Sequence, residues 1–427
     1  MHRRLMVLGL VLALLTAACG DDDGDGNANG NADSPTTAAG PAEVATDKGV
    51  TDDEIRVGFL NGFTGPIAPL AIAAGAGFDA AVHEVNEAGG ICGREVVTVR
   101  GDTKYDPQVS VQEYRANKDD VVMLGSLTGT AALFGLSEDI ARDGITVLGA
   151  TGSASVLPLE NIWLYITSFT HQALNAISWA AEEEAGDDGA LQLGILYQDD
   201  PFGQEGLAAA QFAEANLDNV EIVGEAKYAA GDQDFTAQAQ ALKDSGAEVV
   251  WLHAIPSAVT PFLGAAAQIG YEAIFIGIDA SWSATMVEPL GDILDNYRVV
   301  TSSVAWGEDV AGMDELLAAY EAVSSDPGND FVIAGYINGR VAMAALRRAC
   351  ELGDLTQAGI GKAMVGLEVD NGGLGPKLSF GDTLDEQIPS RATRVNAINL
   401  EEKRAEPLTD FAASPLAEQW TFDELPG

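Results

Sequence analysis

The sequence predicts an α/β fold made of two doubly wound lobes. From Glu54 onward, short apolar runs alternate with amphipathic segments of helical length. Near-continuous apolar strands that alternate with helices are typical of parallel sheets covered on both faces. The strand and helix candidates exceed what one sheet of usual size holds, and the chain is long enough for two domains. We therefore predict two lobes that face each other.

The predicted strands share runs of β-branched and other apolar residues. They are IRVGFL (55–60), EVVTVR (95–100), VVMLGS (121–126), ITVLGA (145–150), LQLGILY (191–197), VEIVGEA (220–226), EVVWLHA (248–254), AIFIGI (273–278) and YRVVTSS (297–303). A helix is predicted after the first strand, because Phe78, Val82 and Val85 fall on one helical face and Gly89 ends the pattern. Ligands of such sheets bind outside the carboxyl ends of the strands, so two facing lobes predict one shared cleft.

The first eighteen residues have the pattern of a secretory signal. Arg3 and Arg4 are followed by an apolar run from Leu5 to Leu15 and then by small residues up to Ala18. This order of basic, apolar and small residues is typical of an export signal. The run is too short for a permanent membrane span. The sequence therefore predicts an exported protein with a signal peptide at 1–18.

Cys19 follows the small residues directly, which resembles the bacterial lipobox, where the Cys receives lipid and becomes the mature N-terminus. Thr16 departs from that motif, which prefers Leu at this place. We predict lipidation of Cys19, a disordered acidic, Gly- and Asn-rich linker over 19–52, and anchoring to the outer face of the cell membrane. The alternative is ordinary secretion with cleavage near Ala18, which leaves Cys19 as a free thiol.

The linker contains a pattern that mimics a calcium-binding loop. Asp21, Asp23 and Asp25 alternate and Gly26 follows, as in an EF-hand. The twelfth residue, Ala32, lacks the carboxylate that such a loop requires. The surrounding Asn, Gly, Ser and Pro residues favour a solvated tether instead. We predict no metal site and no cofactor.

Composition excludes two classes of partner. The chain of 427 residues carries 65 acidic and 22 basic residues, for a net charge of −43. Such a surface repels phosphate, so nucleic acid and anionic lipid headgroups are poor partners for the folded part.

Besides Cys19, the chain has Cys92 and Cys350, and an even pair in an exported protein predicts one disulfide. The alternative is two separate buried thiols.

Groups that could carry out catalysis are scarce. The histidines are His2, which leaves with the signal, His83, His171 and His253, and no HExxH, GxSxG or Walker A motif is present. The GAGFDA stretch (75–80) mimics a dinucleotide fingerprint, but its glycines lie inside the predicted helix and not in the turn after a strand. We predict no catalytic residues and no enzyme activity.

Hydroxyl residues cluster where predicted strands end. Thr64 lies in NGFTGP, Thr128 and Thr130 in GSLTGT, and Thr151 and Ser153 in GATGSAS. Hydroxyls and free backbone N–H groups at strand-to-helix turns can bind a carboxylate. The alternative for each residue alone is a simple helix N-cap. Together the turns favour a binding site.

These residues resemble the branched-chain amino acid type of periplasmic binding protein, a family typified by leucine/isoleucine/valine-binding proteins that deliver ligand to ABC importers. The resemblance covers nearly all of residues 54–405. It is carried by the order and spacing of IRVGFLNGFTGPIA, FDAAVHEVNEAGGICGREVVTV, GSLTGTAALFGLSEDIARDGITVLGATGSAS, YQDDPFGQEGLAAA, DFTAQAQALKDSGAEVVWL and FIGIDA. It implies the type I fold of that family, in which two α/β lobes joined by three crossovers close about a hinge.

The resemblance also implies the lobe boundaries. The crossovers fall near Ser168, Ser303 and Pro376. The implied segments are an N-terminal lobe of 53–168 plus 304–375, a C-terminal lobe of 169–303 plus 376–410, and a tail of 411–427. Both Cys92 and Cys350 then belong to the N-terminal lobe, which is compatible with a disulfide.

The family's ligand site can be carried over residue by residue. The ligand's α-carboxylate meets the turn at Thr128 and Gly129; because Gly129 stands where the family usually has a hydroxyl, Thr128 or Thr130 supplies one. The α-ammonium meets the Thr151 carbonyl, the Ser153 hydroxyl and the Asp279 carboxylate. The implied ligand-binding residues are Leu70, Leu127, Thr128, Gly129, Thr130, Thr151, Gly152, Ser153, Phe202, Ile255 and Asp279.

The side-chain pocket departs from that of the leucine binder. Leu70, Phe202 and Ile255 stand where that binder has Tyr, so the resemblance implies a more apolar and roomier pocket. Trp282 is either a pocket wall or part of a packed core or surface. We predict a monomeric, extracytoplasmic binding lipoprotein that captures a hydrophobic or branched-chain amino acid for ABC permease subunits. The alternatives are a short amide, urea or an aromatic acid as ligand, or a ligand-sensing subunit.

Overall fold

A computed structural model of the chain describes residues 44–186 and 189–422. The predicted signal (1–18), the predicted lipid-bearing Cys19 and the aspartates of the calcium-like pattern lie outside these residues. Within the described residues, no helix is long and apolar enough to cross a membrane.

The first lobe opens with alternating strands and helices. They are β1 (Ala45–Thr46), β2 (Glu54–Asn61), α1 (Ala68–Glu87), β3 (Glu95–Asp102), α2 (Pro107–Asn117), β4 (Met123–Thr128), α3 (Thr130–Asp143), β5 (Val147–Ala150) and β6 (Ile162–Trp163). The sheet has the order β3-β2-β4-β5-β6, and every pairing in it is parallel. All six residues of β4 are buried, as expected of a central strand covered on both faces.

The chain then builds the core of the second lobe. Its elements are α4 (Phe169–Glu183), β7 (Leu191–Gln198), α5 (Pro201–Asn216), β8 (Val220–Tyr228), α6 (Thr236–Asp244), β9 (Val249–His253), α7 (Pro256–Gln268), β10 (Ile274–Gly277), α8 (Val287–Leu290) and β11 (Tyr297–Thr301). The strands pair in parallel in the order β8-β7-β9-β10-β11. Each predicted strand therefore has a counterpart, and the predicted α/β fold class is confirmed.

After β11 the chain returns to the first lobe. It forms α9 (Ala311–Val323), α10 (Asp330–Glu351), β12 (Asp354–Leu355), α11 (Gln357–Met364), β13 (Leu367–Val369) and β14 (Leu378–Phe380). Helix α10 packs closely on α1 because small residues face each other. A Cβ at Gly335 would collide with the Ala74 carbonyl oxygen, and one at Gly77 would collide with the Val332 carbonyl oxygen.

The last crossover comes later than predicted. Leu378 and Phe380 of β14 are buried in the first lobe's core, where β14 pairs with β13, so Pro376 is still part of that lobe. The chain then adds β15 (Arg394–Asn399), β16 (Arg404–Pro407) and α12 (Pro415–Gln419) to the second lobe. Strand β15 pairs antiparallel with β11 and completes the order β16-β15-β11-β10-β9-β7-β8.

Both ends of the folded part reach further than predicted. Strand β1, inside the predicted linker, pairs in parallel with β12. At the other end, Trp420, inside the predicted tail, is 2% exposed, and Arg391 donates hydrogen bonds to the carbonyls of Ala417 and Trp420. These segments are only a few residues long and have no apolar period, so the sequence pattern did not reveal them.

Candidate ligand-binding cleft

A cavity of about 140 Å³ lies between the two lobes. Its polar walls come from the carboxyl ends of strands: Thr128 at the end of β4, Thr151 after β5, and Asp279 after β10. Ile255 follows β9 in the same way. This is where ligands of α/β sheets bind, and here the strand ends of both sheets contribute to one site.

One end of the site is the N-terminus of α3. Gly129 precedes the helix with φ of +103°, a conformation that other residues rarely adopt. The first-turn N–H groups of a helix have no partners within the helix and carry a partial positive charge. The Thr128 hydroxyl lines the cavity, is buried, and has no hydrogen-bond partner among the described residues. A carboxylate can accept hydrogen bonds from this group of donors.

Asp279 is the acidic group of the site. Its Oδ2 accepts hydrogen bonds from Gln172 Nε2 and Ser302 Oγ, each at 2.9 Å. Burial raises the pKa of the Asp279 carboxyl to about 6, and the hydrogen bonds only partly offset that effect. All of these partners are neutral. A cation would therefore stabilise the ionised carboxylate more than any group that now contacts it.

The charged side chains that line the cavity in the described part of the chain are acidic. Among the described residues that line it, Asp279 and Asp330 are acidic, and none is Lys, Arg or His. The remaining walls are mostly apolar. They include Phe59, Ile67, Leu70, Ala74, Phe169, Phe202, Ile255, Trp282, Val304, Phe331, Ala334, Ile337 and Leu378. The site is suited to a molecule with an apolar body and a cationic group.

The model of the family described as periplasmic binding protein matches residues 54–399. The chain belongs to the periplasmic binding protein family. This is a family of substrate-binding proteins of transporters and not of enzymes, in agreement with the scarcity of reactive groups in the sequence.

Relatives and solved structures agree with this assignment. Leu/Ile/Val-binding protein homolog 7 of Brucella abortus is 24% identical over 314 residues, which cover 69% of this chain and 77% of the relative. A fatty acid ABC transporter substrate-binding protein from Thermomonospora curvata superposes with a TM-score of 0.81 at 23% identity, over 88% of this chain and 97% of the other. A branched-chain amino acid ABC transporter structure from Thermus thermophilus with bound valine superposes with a TM-score of 0.76 at 20% identity, over 87% of this chain and 99% of the other. Both solved structures therefore have the same fold as this chain.

Most of the residues that the resemblance implied lie around the cavity of this binding protein. The lining includes Leu70, Thr128, Gly129, Thr130, Thr151, Gly152, Phe202, Ile255 and Asp279. Trp282 is both wall and packed residue, because it lines the cavity, is 2% exposed, and donates from Nε1 to Asp330 Oδ2 at 3.1 Å. The structure therefore brings these residues from both lobes together at one site.

Two implied residues lie away from the cavity. Side chains alternate along β4, so Ser126 and Thr128 line the cavity while Leu127 points to the opposite face and is fully buried. Ser153 donates its hydroxyl hydrogen bond to Glu205. Thr64, from the first hydroxyl-bearing turn, is exposed and donates to Asp102 Oδ2 at 2.7 Å, outside the lining.

The structure adds residues that the sequence did not single out. Glu205 on α5 accepts hydrogen bonds from Ala154 N at 2.8 Å and Thr170 Oγ1 at 2.7 Å, so it joins the two lobes beside the hinge. Tyr105 lines the cavity after Lys104, and both have positive φ, of 58° and 55°. Non-glycine residues with positive φ have a strained backbone, and such residues often occur at functional sites. Backbone strain is not readable from the sequence.

Proposed function

We propose that this binding protein captures a hydrophobic or branched-chain α-amino acid outside the cytoplasm and delivers it, as a monomer, to the permease of an ABC importer. The observation that carries the proposal is Asp279, a half-buried carboxylate with neutral partners, in a cavity that has no basic side chain among the described residues that line it. An α-ammonium group would supply the missing positive charge.

A zwitterion fits the two ends of the site at once. Its carboxylate would accept from the first turn of α3 and from the Thr128 hydroxyl, while its ammonium pairs with Asp279. The apolar walls would cover the ligand's side chain. The Brucella abortus relative is named as a Leu/Ile/Val-binding protein homologue and the Thermus thermophilus structure contains valine, which supports an apolar amino acid as the ligand class.

A fatty acid is the second candidate, because the apolar walls suit a hydrocarbon chain and one structural neighbour is described as a fatty acid binder. The charges argue against it. A fatty acid would bring a second carboxylate into a cavity that already holds Asp279 and lacks a basic lining residue among those described. Like charges at close range disfavour each other, so either carboxyl group would have to bind a proton.

A thermal-shift screen of the purified protein tests the proposal. L-Leucine, L-isoleucine, L-valine and L-phenylalanine are compared with D-leucine, octanoate, acetamide, urea and benzoate. A ligand at about 100 times its Kd stabilises the folded state by about 2.7 kcal/mol. We expect the L-amino acids to raise the melting temperature and D-leucine, their matched control, to have little effect. A shift with octanoate, the amides or benzoate alone would reject the amino acid assignment.

We also propose that residues 1–18 direct export and that Cys19 carries the lipid anchor, which rests on the sequence of these residues. Replacing Cys19→Ala is expected to move the protein from the membrane fraction to the soluble extracytoplasmic fraction. Cys92→Ser, which leaves the export segment intact, is the control and is expected to stay with membranes. Membrane association of the Cys19→Ala protein equal to that of the wild type would contradict the anchor.

A further inference from the structure

We propose that an apolar chamber between α1 and α10 selects ligands by the length of their aliphatic chain, with Ala74 and Ala334 setting the limit. The apolar chamber is lined by Leu70, Ala74, Phe331, Ala334, Ile337 and Leu378, all of which line the cleft cavity. This inference rests on the proposed function, since it concerns the side chain of the bound amino acid. It predicts a side chain longer than that of leucine.

The wall that α10 contributes is longer than leucine needs. Phe331, Ala334 and Ile337 are spaced by three residues and lie on the same side of the helix. At about 1.5 Å per residue, the wall from 331 to 337 extends about 9 Å. A leucine side chain extends three bonds of about 1.5 Å beyond Cα, so it reaches no more than about 4 Å. Leucine would leave about half of this wall uncovered.

Other segments lie near both ends of the chamber. Near Phe331, the neighbouring Asp330 accepts the hydrogen bond from Trp282 of the second lobe. At the other end, a Cβ added to Gly375 would lie 3.7 Å from Ile337 Cδ1 and 2.7 Å from the Ser302 carbonyl oxygen. Ile337 and the Ser302 carbonyl oxygen therefore both lie close to Gly375, which limits the space beyond Ile337.

Each of the two helices presents an alanine to the chamber close to the point where the helices meet. Ala74 contacts the α10 backbone so closely that Gly335, next to Ala334, has no room for a Cβ. Leucine-sized side chains at 74 and 334 would fill the cavity between the helices. The site instead has a methyl group on each helix, and both of these alanines line the cavity.

Calorimetry with L-amino acids of increasing straight side chain measures the chamber directly. The series is norvaline, norleucine, 2-aminooctanoic acid and 2-aminodecanoic acid, all with the same zwitterionic group. Each buried methylene is worth about 0.8 kcal/mol, so affinity is expected to rise about fourfold per methylene beyond norleucine until the chamber is full. Alkanoates of matching length form a parallel series without the ammonium.

The variant Ala334→Leu is expected to abolish the rise in affinity for side chains longer than that of norleucine. Ala318→Leu, on the exposed side of α9, is the matched control and is expected to keep the wild-type series. Ile337→Ala changes the chamber in the opposite direction and is expected to admit a longer chain. This second variant keeps the test valid if leucine at 334 prevents folding.

The outcomes separate the chamber from the proposed function. If amino acids bind but affinity does not rise beyond norleucine, or Ala334→Leu leaves the rise intact, the chamber is rejected and the amino acid function stands. If only the alkanoates show a rise that Ala334→Leu removes, the amino acid function is rejected and the chamber stands. If affinity rises with chain length neither for the amino acids nor for the alkanoates, the proposed chamber is rejected.

Discussion

Replacing Asp279→Asn is expected to weaken binding of an apolar α-amino acid by about 30-fold or more. Removing one partner of a buried, hydrogen-bonded charge pair costs about 2–5 kcal/mol in affinity, much of it because the other charge is left unpaired. Asparagine keeps the size of the side chain and can still accept from Gln172 and Ser302, the present partners of Asp279. Calorimetric titration of both proteins with L-leucine measures the difference.

The control for this substitution is Asp292→Asn, which removes an exposed carboxylate of the same lobe and is expected to leave affinity unchanged. An octanoate titration adds a chemical control, because a ligand without an ammonium gains from the loss of the Asp279 charge. Equal leucine affinity for the wild type and the Asp279→Asn protein would show that the ammonium lies elsewhere.

The same carboxylate makes binding depend on pH. Burial raises the pKa of Asp279 to about 6, and an ammonium ligand requires the ionised form. Binding therefore releases a proton below this value, and affinity is expected to fall about tenfold per pH unit as the pH drops below about 6. The Asp279→Asn protein is expected to lose this dependence. A leucine affinity that stays constant between pH 7 and pH 5 would contradict the pairing.

Asp279 also makes the folding stability of the ligand-free protein depend on pH, and this dependence has the opposite direction to that of ligand affinity. With its pKa raised, ligand-free Asp279 holds its proton in the folded protein at pH values where the unfolded chain has lost it. Its contribution to stability is therefore full below about pH 4 and is lost as the pH rises through about 6. Burial also raises the pKa of Glu205 and Asp330. Since Glu205 and Asp330 change the stability in the same direction, only comparison with the Asp279→Asn protein isolates the contribution of Asp279. Burial raises the pKa of Tyr165, so this residue stays neutral over the same pH range.

Local sequence patterns predicted the elements that the site rests on. Strands β4 and β5 and the start of α3 follow from apolar runs that end in Thr and Gly. The alternation of β4 could also have separated Leu127 from Thr128, since side chains of a strand point to opposite faces in turn. The resemblance implies Leu127 as a binding residue, but the alternation of side chains along β4 places it on the face opposite the cavity.

Contacts between distant residues could not be read in this way. Gln172 is 107 residues from Asp279, and Glu205 is 52 residues from Ser153. With 65 acidic residues in the chain, nothing in the sequence marks Glu205 as the one that reaches across the lobes. The prediction that Ser153 faces the ligand rested on its position in a turn, which is a local feature. Its partner Glu205 reaches it only through the packing of α5, which the sequence does not show.

Replacing both Cys92 and Cys350 by Ser is expected to lower the free energy of unfolding by about 3–5 kcal/mol. The structure joins the two residues in a disulfide, with Cα atoms 6.1 Å apart and a separation of 258 residues along the chain. Closing so long a loop restricts the unfolded chain strongly, and the chain-entropy model gives roughly 5 kcal/mol as an upper figure. For a folded part of this size, the melting temperature is expected to fall by about 5 °C.

Two measurements separate this effect from a simple loss of packing. A reductant is expected to lower the melting temperature of the wild type and to leave the double Ser protein unchanged, which serves as the matched control. In denatured, unreduced protein, titration of two reactive thiols besides Cys19 would rule the bridge out. Cys92 has φ of 51°, and strain of this kind offsets part of the entropic gain, so a value below the upper figure is expected.

The position of the bridge also predicts what its loss leaves unchanged. Cys92 follows the end of α1 and Cys350 lies in the last turn of α10, so the disulfide ties together the ends of the two helices that line the apolar chamber. Near the cavity these helices are already held by the contact of Gly335 with Ala74. The double Ser protein is therefore expected to bind its ligand within about twofold of the wild type at temperatures where it is folded. A larger loss would mean that the bridge, and not helix packing, sets the width of the chamber.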